Sequence, residues 1–217
     1  TLRDYDNTLT TTTAMGWVST WDYAQLVPSK YGKGFWSIPS NLDLKTFPEG
    51  IRMVQQPVDQ LQALRYSPVS VNCNVAVGTQ NLSEFEPKEN VYEMDATFST
   101  ETSNTFGFNL CVGNGRKVMI SYDTDSHNLV IDRTNCSNVP IHKFNRMAFA
   151  KVYPVDNKIR MHIFVDKSSI ELFTNEGKEV FTLLTYPSED QTGIQLFAMR
   201  KGTKMNLKAW RLKSIWR

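Results

Sequence analysis

From residue 91 onward the chain breaks into short alternating segments separated by turn residues, and this pattern restricts the folds open to it more than any other feature. In Val91 to Ser99 the residues Val91, Glu93, Asp95 and Thr97 oppose Tyr92, Met94, Ala96 and Phe98, a period of two that predicts a half-buried strand. Phe106 to Val112 follows, and Gly113-Asn114-Gly115 then reads as a tight turn. Lys117 to Tyr122 and Asn128 to Asp132 flank Asp123-Thr124-Asp125-Ser126, a second hairpin signal. Arg160 to Val165, Ser169 to Thr174 and Glu179 to Tyr186 are separated by Asp166-Lys167-Ser168 and Asn175-Glu176-Gly177, and Gly193 to Met199 comes next. Met205 to Trp216 closes the series, as a strand with a solvated basic face rather than a phosphate-binding patch. Strands about 8 to 12 residues apart with hairpin turns between them predict an all-β sandwich or barrel, placed at residues 70–217.

Residues 1–57 read differently, being richer in Trp, Gly and Pro. Strand-like pieces lie at Met15 to Trp21, Phe35 to Ile38 and Ile51 to Val54, which suggests part of another β unit. Between the two regions, residues 58–69 form a linker in which Val58 to Arg65 has helical spacing just after Pro57. The opening stretch T-L-R-D-Y-D-N-T-L-T-T-T-T-A carries no signal-peptide pattern and no initiator Met, so the chain is expected to be part of a longer one.

Composition excludes several classes of function. A net charge of +2 gives no reason to expect a nucleic-acid or membrane-surface partner, and no apolar run approaches the ~20 residues of a membrane span. Cys73, Cys111 and Cys136 are widely spaced and do not cluster with His127, His142 and His162, which argues against a zinc site and a dense disulfide framework. One disulfide plus a free thiol, or three buried thiols, both remain compatible with the spacing. Asn-x-Ser sequons occur at Asn81 and Asn135.

Catalytic signals inside the chain are weak. Glycoside hydrolysis needs two carboxyl groups about 5 to 10 Å apart, and the best local pair is Asp166 with Glu171 in F-V-D-K-S-S-I-E-L-F. The simpler expectation is that Asp166 caps the turn while Glu171 points to solvent. Arg3-Asp4 and Asp132-Arg133 read as surface or structural ion pairs. The chain holds no G-x-S-x-G, no glycine-rich phosphate loop and no H-E-x-x-H. Aromatic residues speak more clearly. Trp17, Trp21 and Tyr23 occupy odd positions of M-G-W-V-S-T-W-D-Y-A, so a strand would place them on one face, as core or as a wall that stacks a sugar, with Asp22 as a polar neighbour.

Taken together, G-W-V-S-T-W-D-Y-A-Q-L-V-P-S, F-W-S-I-P-S-N-L-D-L and M-V-Q-Q-P-V-D-Q-L-Q-A-L-R resemble, in that order, the last propeller blade of glycoside hydrolase family 32. Y-D-T-D-S-H-N-L-V-I-D-R-T, I-F-V-D-K-S-S-I-E-L-F-T-N-E-G and L-K-S-I-W are similar to that family's C-terminal sandwich. The resemblance covers residues 15–217 and implies an all-β chain: a C-terminal β-sandwich preceded by the last blade of a five-bladed β-propeller. It further implies a retaining hydrolase of fructose-containing oligo- or polysaccharides (levanase, inulinase or invertase type) that uses no metal or other cofactor and is secreted or periplasmic. The remainder of the propeller becomes an implied partner, and an unpaired blade would otherwise fold back on the sandwich or pair with a second copy. The family's Trp-Met-Asn-Asp-Pro, Arg-Asp-Pro and Glu-Cys motifs are absent, so no catalytic residue is assigned; Arg3-Asp4-Tyr5 lacks the proline. Trp17, Trp21 and Asp22 are the expected substrate-binding residues. Ser40-Asn41 replaces the Arg-Glu of many relatives, so no role carries over to those positions. The rivals are a non-catalytic carbohydrate-binding, lectin-like sandwich and a purely structural or oligomerisation domain.

Overall fold

The computed structural model describes residues 11–29, 32–137, 141, 144 and 147–215. Arg3, Asp4, Tyr5, His142 and Trp216, on which parts of the sequence reading fall, lie outside the described residues.

The N-terminal region holds β1 (Thr12–Ala14), β2 (Trp17–Val18), β3 (Phe35–Trp36), β4 (Ser40–Phe47) and β5 (Gly50–Pro57). These strands form a three-stranded sheet β1-β4-β5 and a separate pair β2-β3. The predicted helix after Pro57 is a 3-10 segment, Asp59–Leu64, whose Gln62 amide reaches the Asp59 carboxylate at 3.1 Å. None of its residues is buried, so nothing anchors a longer α-helix there.

Next come β6 (Arg65–Val75), β7 (Gly78–Asn81), β8 (Tyr92–Ser99), β9 (Thr105–Gly113), β10 (Arg116–Asp123) and β11 (Asn128–Asp132). The remaining strands are β12 (Met147–Lys151), β13 (Lys158–Asp166), β14 (Ser169–Thr174), β15 (Val180–Leu184), β16 (Gly193–Ala198) and β17 (Thr203–Leu212). They build two antiparallel six-stranded sheets, β15-β14-β13-β8-β17-β6 and β12-β11-β10-β9-β16-β7, packed face to face as a sandwich. β6 begins at Arg65, inside the segment read as linker.

Alternation works as expected. Tyr92, Met94, Ala96 and Phe98 of β8 are fully buried and meet Phe106, Phe108 and Leu110 of the facing sheet. Phe98 stacks on Phe106 with ring centroids 4.8 Å apart and meets Phe108 edge-on. The β9–β10 turn needs left-handed backbone at both central positions, and Asn114 (φ 51) with Gly115 (φ 71) supplies it cheaply. In β17, Met205, Leu207 and Ala209 are buried while Lys204 and Lys208 are exposed, matching the expected basic face. Cys73, Cys111 and Cys136 are free thiols, and burial pushes Cys111 up to about 12 and Cys136 to about 11.

The outer face of the β8-containing sheet is unusual for a sandwich, because over β8, β13 and β14 it too is shielded. Glu93 is fully buried there and accepts two hydrogen bonds from Arg65, at 2.7 and 2.6 Å, with His162 Nε2 at 2.6 Å. Arg65 also stacks on Trp210 at 4.1 Å. Burial alone would push the Glu93 carboxyl up, but the Arg65 and His162 hydrogen bonds and charges outweigh it and hold it below the ordinary value. Arg65 ties the first residue of β6 to a central strand. Removing it with Arg65→Met should leave a buried carboxylate short of its main partner and cost about 3–5 kcal/mol in urea unfolding. Adding Glu93→Leu to that variant should restore much of the loss, and a double variant no better than the single one would contradict this account.

Candidate functional site

The N-terminal strands meet the outer face of β14 and β15, and a cavity of about 380 Å³ lies along the seam. Trp17, Ser19 and Gln55 line it from the N-terminal side, and Arg133, Glu171, Phe173 and Thr182 line it from the sandwich.

Glu171 does not point to solvent as the sequence suggested; it is only 5% exposed. Strand alternation does turn it away from Ile170 and Leu172 in the sandwich core, but the N-terminal strands roof the face it turns towards. Its Oε1 accepts the Ile38 N–H at 2.8 Å and its Oε2 accepts the Thr182 hydroxyl at 3.2 Å. Among the described residues no cation lies within ion-pair distance of it. Burial therefore pushes this carboxyl up to about 7, partly offset by the Ile38 and Thr182 bonds. Asp166 accepts the Lys167 N–H at 2.7 Å in the β13–β14 turn, the capping role expected of it.

Asp132 and Arg133 are not the ion pair that adjacency suggested. Successive residues at a strand end point to opposite sides, so Asp132 accepts the Thr134 N–H at 2.8 Å while Arg133 turns inward, 4% exposed. Its guanidinium donates to the Leu184 carbonyl and lies 3.8 Å over the Phe144 ring. Burial lowers its pKa, opposed by the hydrogen bond to Tyr23, and its Nε has no partner among the described residues.

The expected single face for Trp17, Trp21 and Tyr23 is also corrected. The strand covers only Trp17 and Val18; a turn at residues 21–23 and a 3-10 segment at Ala24–Leu26 follow it. That turn sends Tyr23 inward, edge-on to Phe144 at 5.2 Å, while Trp21 stays 81% exposed. Trp17 and Trp21 nevertheless meet, with ring centroids 5.1 Å apart and planes tilted by 48°. Trp36 pairs with Trp17 across β2–β3 and is itself exposed, extending the aromatic surface. Gly34 makes room for this arrangement, since a Cβ there would stand 2.0 Å from Trp17 Nε1. Asp22 is exposed beside Trp21. Alternation could place Glu171 on the outer face, but only the tertiary roof decides that this face is buried.

The family described as glycosyl hydrolases family 32 C terminal matches residues 60–211. The chain is 34% identical over 208 residues to levanase of Bacillus subtilis (strain 168), covering 93% of this chain and 31% of that protein. It is 31% identical over 209 residues to levanase of Bacillus sp. (strain L7), covering 94% of this chain and 23% of the relative. The chain thus spans about a third or less of the length of these two relatives. Among solved structures, exo-inulinase from Aspergillus awamori superposes with a TM-score of 0.87 at 23% identity, covering 94% of this chain and 41% of that one, a likeness of fold.

One contact makes the seam testable. Gln55 N–H donates to the Gly177 carbonyl at 2.8 Å, and a Cβ on Gly177 (φ +81) would stand 1.8 Å from the Gln55 carbonyl oxygen. Gly115 has a similar φ of +71 but open space around it. Gly115→Ala should cost about 1 kcal/mol from backbone conformation alone. Gly177→Ala should cost at least about 2 kcal/mol more in the same denaturation assay, because the two segments must also part.

Proposed function

Because the chain belongs to glycosyl hydrolase family 32 through its C-terminal domain, we propose that it forms the C-terminal part of an enzyme that hydrolyses fructose-containing oligo- or polysaccharides. In this reading, residues 1–57 supply the last blade of a five-bladed propeller, residues 58–69 the linker and residues 70–217 the sandwich. The exposed Leu44, Ile51 and Met53 on β4 and β5 support it, since an apolar face of this kind needs a neighbouring blade to cover it.

Trp17 and Trp21, with Asp22 beside them, form part of the wall of the sugar pocket. The observation that carries this assignment is the exposed Trp17–Trp21 pair, 5.1 Å apart, with Trp17 on a strand held against the sandwich and Trp21 in the turn that follows it. Rigid indole faces left open to solvent are costly unless something stacks on them, and sugar C–H faces suit them. The chemistry of the whole enzyme would be double displacement: one carboxylate attacks the anomeric carbon, and a second carboxyl protonates the leaving oxygen and then activates water. The family's three acidic motifs are absent from these 217 residues, so both groups come from a part of the enzyme outside them. Similarity to the extracellular exo-inulinase of Aspergillus awamori supports placing the enzyme outside the cell.

The 217-residue chain incubated with sucrose, inulin or levan should release no fructose, while titration calorimetry should detect binding of a short fructan. Trp21→Ala should weaken that binding about tenfold, the loss of roughly one stacking contact. Fructose release by a preparation of verified intact mass would sink the division of labour. Binding that Trp21→Ala leaves unchanged would move the site elsewhere.

A further inference from the structure

The hydrogen bond from Ile38 to Glu171 joins residues 133 positions apart and connects the two halves of the molecule at one point. Ile38 lies two residues after Trp36, whose strand carries the aromatic surface. Ser37 N–H donates to the Gly16 carbonyl at 2.8 Å, Gly16 N–H donates to the Ser37 hydroxyl at 2.9 Å, and Trp36 pairs with Trp17. A shift at Ile38 is therefore passed through one short strand pair to Trp17 and on to Trp21.

The carboxyl at the other end of this bond is short of positive charge. Asp166 in the β13–β14 turn adds negative potential. Arg133 lines the same cavity, but its guanidinium is committed to the Leu184 carbonyl and the Phe144 ring. Beyond Phe164, the cross-strand neighbour of Glu171, Glu93 is already engaged with Arg65 and His162. On β15, Thr182 is neutral, and Glu179 just before that strand pairs with Lys178 at 3.7 Å. From the N-terminal side the lining residues Trp17, Ser19, Ser37, Leu42, Met53 and Gln55 bring no charge, and Tyr23 brings only a phenol.

We infer that Glu171 is the latch that positions the tryptophan-bearing strands on the sandwich, and that its protonation sets how firmly they are held. As the neutral acid it accepts the Ile38 N–H without the cost of a buried charge. As the carboxylate it makes a stronger hydrogen bond, but it is a buried charge with no cation within ion-pair distance among the described residues, so opening and hydration of the cavity are favoured. The direction follows from linkage. The docked carboxyl titrates at about 7 against an ordinary value of 4.5, so the docked state holds a proton that the open state releases. Docking is at its full strength below about 4.5, weakens as pH rises from there to about 7, and is flat above. The latch depends on seam geometry alone, so it stands or falls separately from the sugar reading.

Amide hydrogen exchange on the full chain between pH 5 and 8, corrected for intrinsic exchange rates, reads the latch at the Ile38 N–H itself. Protection of Ile38 should fall about tenfold per pH unit up to about pH 7. The Gln55 amide across the same seam should follow, while the Met94 amide in the core should stay flat. Glu171→Gln keeps the shape and an acceptor without the charge, so its Ile38 protection should be pH-independent and match the wild-type value at low pH. Glu171→Ala should lose protection at every pH; should it fail to fold, the wild type and Glu171→Gln still decide. Flat wild-type protection across pH 5 to 7, or a Glu171→Gln slope equal to the wild type's, would overturn the latch.

Discussion

One constraint organises the molecule: the sheet β15-β14-β13-β8-β17-β6 must keep water from its inner face and also from the part of its outer face over β14, β13 and β8. Its inner face packs into the sandwich, as in other two-sheet folds. Its outer face carries Phe164, Phe173, His162, Glu171 and Glu93, all buried. A sandwich has no layer of its own for that face, so the N-terminal strands serve as a partial third layer over β14 and β15. The Gln55–Gly177 backbone hydrogen bond, the Ile38–Glu171 bond and the Lys45–Glu176 ion pair at 2.8 Å fasten it there. The exposed ion pair contributes little on its own, so the buried polar contacts fix the register of the seam.

The functional reading grows from that arrangement. Strands too short to be stable alone, β2 and β3, hold three exposed tryptophans in place because the segments around them are tied to a rigid sandwich. Rigid aromatic groups lose little entropy on binding, which is what a sugar-stacking wall needs. The same strands turn Val18 and Tyr23 inward into a second small core with Val27, Leu184 and Tyr186, so the wall and the seam are two sides of one thin layer. On the function proposed above, this layer would lie at the edge of a larger active site.

Much of this was legible in the residues. β11 and β14 have the bounds that alternation suggested, and Asn114-Gly115 marks its turn because few other pairs tolerate two left-handed residues. Two strands were harder to see: β4 mixes polar and apolar side chains, and β12 is a short, mostly apolar strand at the edge of its sheet. Arg133 and Glu171 were misjudged for one reason. Local pattern tells which face of a strand a side chain takes, but a partner far away in sequence decides whether that face is wet. Tyr23 escaped the aromatic row because the turn at residues 21–23 reverses the chain, a tertiary accommodation with no strong Gly or Pro signal at those positions.

The central claim is that the N-terminal strands are a structural layer of the sandwich rather than an appendage beside it. Urea unfolding with a hydrophobic dye, comparing the whole chain with residues 58–217 alone, tests this most directly. The account predicts that the shortened chain unfolds at clearly lower urea and binds the dye in native buffer, through the uncovered face around Phe173 and Glu171. A shortened chain with an unchanged midpoint and no dye binding would contradict it.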